Sequence, residues 1–182
     1  MMYKEKFPTN IQEGVWDEKT CIRRQGGYTL YTDNLPTDLK WLPKGAVLAI
    51  RTDGKVALVK TAKVYENAAS AATSVKVNKN HALKVGDTIA GAKINAIDTT
   101  NESYDTLTLA AGLSAKADKD TVLVEATAKG VIGLNYATVM IDDAPSCTPT
   151  IQAYEIEEDT LPYPIDNVIK SALTSRHAFK IQ

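Results

Sequence analysis

The feature that most constrains this chain is the step Asp53-Gly54. It lies between the apolar runs 46–50 (Ala-Val-Leu-Ala-Ile) and 56–60 (Val-Ala-Leu-Val-Lys). Glycine enters the positive-φ conformation that a tight turn demands at no steric cost, so an Asp-Gly between two β-branched runs predicts an antiparallel hairpin. The second strand is expected to run on to Val64 or Tyr65. Beyond it, the small residues 67–72 read as a loop or a short helix.

Short strand-like segments then recur at 74–77, 88–89, 92–97, 106–110 and 121–126. Gly86-Asp87, Gly91, Asn101 and Gly112 stand between them. Residues 106–109 (Thr-Leu-Thr-Leu) and 121–125 (Thr-Val-Leu-Val-Glu) alternate, so each should have one face in water. Even spacing of short strands and turns describes a small antiparallel barrel or sandwich. Residues 74–126 read as a β subdomain inserted between the first hairpin and two later strands, 135–141 and 149–156.

One helical pattern stands out. Ile165, Val168, Ile169, Ala172 and Leu173 fall at i, i+3, i+4, i+7 and i+8, with Pro164 as a start residue and Asp166 in the first turn. Residues 177–181 return to alternation and predict a closing strand. Residues 1–42 are polar and broken by Gly26-Gly27, Asn34 and Pro36, which suggests an irregular N-terminal arm or cap with room for one hairpin, before a β-rich body at 43–182. The expectation is a mainly β protein with one short C-terminal helix.

Charge excludes some partners. Twenty-one basic against 22 acidic residues give a net charge of −1, which supplies no field for nucleic acid or an anionic membrane. No apolar run suits a signal peptide or a membrane span, so synthesis in the cytoplasm is expected. Cys21 and Cys147 lie far apart, without Cys-x-x-Cys spacing, and read as reduced thiols.

Candidate chemistry is thin. His81 and His177, the two histidines, have no nucleophile or second ligand close in sequence and read as exposed or hydrogen-bonded bystanders. Asp142-Asp143 and Glu157-Glu158 are carboxylate pairs of the kind glycoside hydrolysis uses, but they sit in turns and at strand ends, where solvated faces are the rule. Neither Gly26-Gly27 nor Gly130-Val131-Ile132-Gly133 matches a phosphate-binding loop. Hence no catalytic residue, metal ligand or cofactor is expected. Tyr28, Tyr31 and Tyr163, with the tryptophans Trp16 and Trp41, are interface candidates, because these side chains dominate interface hot spots.

The stretch 41–50 (Trp-Leu-Pro-Lys-Gly-Ala-Val-Leu-Ala-Ile), continuing to 60–64 (Lys-Thr-Ala-Lys-Val), resembles the head fibre proteins of tailed bacteriophages and prophages. Residues 83–89 (Leu-Lys-Val-Gly-Asp-Thr-Ile) and 161–165 (Leu-Pro-Tyr-Pro-Ile) are similar to motifs of such structural proteins. The resemblance covers most of the chain from about Trp41 onward. It implies a virion component on the outside of a capsid, bound to the major capsid protein, oligomeric and often trimeric, needing no cofactor. The chain departs from longer fibres in lacking a Gly-x-y repeat and a heptad run, which favours a short knob or attachment base. The alternative is a carbohydrate-binding or other protein-binding β module.

Overall fold

The computed structural model describes residues 14–125, 130–142, 145–173 and 176–180. The Asp-Gly hairpin forms where expected. Strand β4 (Val47–Ile50) pairs antiparallel with β5 (Val56–Leu58), with Ile50 opposite Val56. The Arg51 N–H donates to Lys55 O and the Gly54 N–H to Arg51 O, at 2.9 and 3.1 Å. Gly54 takes φ +79°, and Asp53 Oδ1 accepts the Lys55 N–H at 3.1 Å. The turn thus has three loop residues with glycine in the left-handed position.

The other strands, in chain order, are β1 (Ile22–Arg23), β2 (Tyr28–Thr29) and β3 (Trp41–Leu42) before the hairpin. After it come β6 (Thr61–Lys63), β7 (Ser74–Asn78), β8 (Thr88–Ile89), β9 (Ala92–Asp98), β10 (Tyr104–Leu109), β11 (Val122–Val124), β12 (Val131–Leu134), β13 (Val139–Met140), β14 (Ser146–Cys147), β15 (Thr150–Ile156) and β16 (His177–Phe179). They form a mainly β fold, a curled antiparallel half-barrel with one short helix. The larger sheets run β7-β10-β9-β8, β12-β4-β5 and β1-β15-β16, and the pairs β11-β6, β13-β3 and β14-β2 complete the set. Among these strand pairs β15–β16 alone is parallel.

The chain changes sheets at Val59-Lys60, because β5 pairs with β4 whereas β6 pairs with β11. Residues 56–62 are all buried, so this switch crosses the interior. Residues 62–123 gather their own apolar core around Val64, Val77, Ile89, Ile94 and Leu107. Alternation in β10 buries Leu107 and Leu109 and leaves Thr108 in water, as its sequence demands. Two further cores join the first hairpin to β12–β15 and α1 (Asn167–Ala172).

Several boundaries differ from expectation. The strand expected at 135–141 is instead β12 at Val131–Leu134, then a break, then β13. Gly133 lies within β12, which runs so close to Thr150 that a Cβ there would stand 2.1 Å from Thr150 O. The cap shows no internal hairpin among the described residues: β1, β2 and β3 pair with β15, β14 and β13. Residues 1–13, 126, 143 and 181 of the expected arm, insert, acidic pair and final strand lie outside the described residues.

Along α1 and its flanks, Ile165, Ile169 and Leu173 are buried, whereas Val168 is 67% exposed. A helix this short presents one i, i+4, i+8 stripe. Asp166 is the N-cap, not a first-turn residue, and its carboxylate accepts the Ile169 N–H at 2.7 Å. Asp166→Ala is expected to lower the unfolding free energy by about 1 kcal/mol, read from the denaturation midpoint.

Candidate functional site

Lys60 is a charged residue at the end of an apolar run, and its sheet-switching position buries it completely. Asp87 precedes β8 and is 7% exposed; Glu125 follows β11 and is 8% exposed. Backbone pairing sets the three side by side: the Glu125 N–H donates to Lys60 O at 2.9 Å, and Glu125 bridges Ile89, two residues after Asp87.

The Lys60 ammonium lies 2.5 Å from Asp87 Oδ2 and 3.7 Å from Glu125 Oε1. It also donates to Asn34 O at 2.7 Å, and Asp87 Oδ2 accepts the Lys84 N–H at 2.7 Å. Residues of the cap, the sheet switch and the insert therefore meet at one buried lysine. Two carboxylates and one ammonium without water are costly unless every group is paired. Sequence reading missed this triad; a lysine closing an apolar run was its one visible signal, and Gly86-Asp87 had the look of an ordinary turn.

A groove of about 890 Å³ runs between the insert and the cap. Pro36, Leu39, Val85 and Ile97 give it apolar lips, and His81 and Asp105 lie in its wall. Asn80, at φ +64°, turns the chain so that Lys79 and His81 both reach Asp105, at 2.5 Å to Oδ1 and 3.2 Å to Oδ2. His81 Nδ1 accepts the Leu83 N–H at 3.2 Å, which leaves Nε2 to carry the proton. Burial holds its pKa below the ordinary value, against the pull of Asp105.

His177 is buried as well. Its Nδ1–H donates to Leu173 O at 2.7 Å, and Nε2 accepts from the Thr150 hydroxyl at 3.0 Å. Burial and Arg24 both lower its pKa. Both histidines are hydrogen-bonded inside the protein.

The interface candidates differ in exposure. Trp16 is 3% exposed, 6.5 Å from the Tyr136 ring, with the Lys44 ammonium over its face. Tyr163 is 8% exposed, and burial pushes its phenol up to about 12. Both are buried within this chain, where side chains of this size supply much of the apolar area of a small core. Tyr28, Tyr31 and Trp41 are half-buried. Arg51 covers the Tyr31 ring at 3.6 Å, and Trp41 pairs across strands with Met140, which is 43% exposed.

Glu157 pairs with Lys180, and Glu158 with Lys170 at 2.6 Å, so these carboxylates are engaged at the surface. Cys21 and Cys147 are free thiols, each raised to about 11 by burial. Among the described residues no cluster of histidine, cysteine and carboxylates is arranged to hold a metal, and no helix is long and apolar enough to cross a membrane. Compared with known proteins, the chain matches no family model, no curated protein and no solved structure.

Proposed function

We propose that the protein is a non-enzymatic structural component on the outside of a phage or prophage capsid, a head fibre or decoration protein that binds the major capsid protein as a homo-oligomer, a trimer by preference. The observation that carries this reading is the cross-strand pair Trp41–Met140, of which Trp41 opens the stretch that resembles head fibre proteins. Half-buried tryptophan beside exposed methionine offers apolar area that water covers in the isolated chain and a neighbouring subunit would cover in an assembly.

The test is co-sedimentation of purified protein with cognate empty capsids, beside a mass measurement in solution. Binding should weaken by tenfold or more in Trp41→Ala, with the fold retained by circular dichroism. A monomer that stays in the supernatant overturns the proposal. Loss of glycan binding in Trp41→Ala at unchanged oligomeric state would favour the carbohydrate-binding alternative.

A further inference from the structure

The triad Lys60, Asp87 and Glu125 has the components of a self-made covalent cross-link. We infer that Lys60 Nζ and Asp87 Cγ join in an intramolecular isopeptide bond, with Glu125 as the proton carrier. The inference stands on the triad alone and is independent of the capsid reading.

An amide between an amine and a carboxylic acid forms slowly in water, for three reasons. The two groups meet rarely, both are ionised, and the water released is swamped by solvent. The fold addresses each. The lysine nitrogen is held 2.5 Å from a carboxyl oxygen, which turns a rare encounter into a fixed geometry. The site is closed: the lysine is 0% exposed and the two carboxylates are nearly so, so bulk solvent is kept from the reacting groups. A second carboxylate stands 3.7 Å from the same nitrogen, within short reach for moving a proton.

The step balances without an oxidant, a reductant or any further reactant. A proton passes from the ammonium to the Asp87 carboxylate, leaving an amine and an acid. Nζ adds to Cγ, and the developing negative charge on Oδ2 is met by the Lys84 N–H, already 2.7 Å away. Glu125 takes the proton the nitrogen sheds and returns it to the other carboxyl oxygen, which leaves as water. One C–N bond forms and one C–O bond breaks. The ammonium's three hydrogens end as one amide hydrogen and two on water.

Position gives the bond a purpose. Lys60 lies where the chain crosses from one sheet to the next, and Asp87 opens the short edge strand β8 of the insert. A covalent tie there would hold the insert to the body under pulling force or protease attack.

Intact mass of the denatured full-length protein tests this. The expected result is a mass one water below that of the sequence, with a digest yielding a branched peptide that joins the fragments carrying Lys60 and Asp87. The branch is required, because ring closure at Asp53-Gly54 would lose the same water and leave every peptide linear. Glu125→Gln, close in shape, should fold by circular dichroism, keep the full mass and give no branch; Lys60→Met should do the same. A wild-type protein at full mass with linear peptides overturns the inference, as does a branch from Lys60 to Glu125.

Discussion

Gly133→Ala is expected to lower the unfolding free energy by about 3 kcal/mol or more, the upper range for forcing extra atoms into a packed interior. A Cβ at this position would stand 2.1 Å from Thr150 O and 3.1 Å from Thr150 C and N. The obstacle is backbone, which has no rotamer to give way, so β12 must move off β15. That displacement would also break what Thr150 organises. Its hydroxyl accepts the Leu134 N–H at 3.0 Å and contacts His177 at the same distance. Equilibrium denaturation of the purified variant reads the effect; a loss under about 1 kcal/mol would show that the two strands are not held as described.

Acidification is expected to have the second large effect, through both histidines. Each starts from an ordinary value of 6.5 and is held lower in the folded protein, chiefly by burial. Above pH 6.5 both states carry neutral rings and nothing is gained or lost. As pH falls below 6.5, the unfolded chain takes up protons that the folded one refuses, so stability declines until the depressed folded values are reached. The slope is about 1.4 kcal/mol per pH unit for each histidine.

Burial is the chief cause of the refusal, and the existing hydrogen bonds add to it. A second proton on His81 must displace the Leu83 N–H from Nδ1, and on His177 it must displace the Thr150 hydroxyl from Nε2. Thermal midpoints between pH 7.5 and pH 5.5 should fall, and His81→Asn should make the fall shallower. A flat profile across this range would mean that neither ring is kept neutral by the fold.

How much of this was legible in the sequence depended on whether a signal was local. Asp53-Gly54 specifies its own turn chemistry, and Leu107 and Leu109 alternate with threonines whatever lies opposite, so hairpin and strand were both readable. The strand Val131–Leu134 was hidden because a glycine needed for close approach to Thr150 looks the same in sequence as a glycine that ends a strand. The polar cap concealed Val15, at 0% exposure, since one or two apolar side chains suffice to anchor a segment that shows no period. The triad showed in the sequence only as a lysine closing an apolar run: Lys60, Asp87 and Glu125 meet through the pairing of β6 with β11 and the bridge from Glu125 to Ile89.

The parallel pairing of β16 with β15 bears on the order in which the chain acquires structure. Strand β15 is flanked by β1 on one side and β16 on the other, partners drawn from far upstream and from downstream. The contact of β1 with β15, Ile22 opposite Gln152, forms late, because the long loop between them must close first. The core within residues 62–123 needs no partner beyond its own span and is therefore free to condense early. During synthesis, the insert is thus positioned to act as a nucleus while β15 waits, half-paired, for the residues of β16 to emerge.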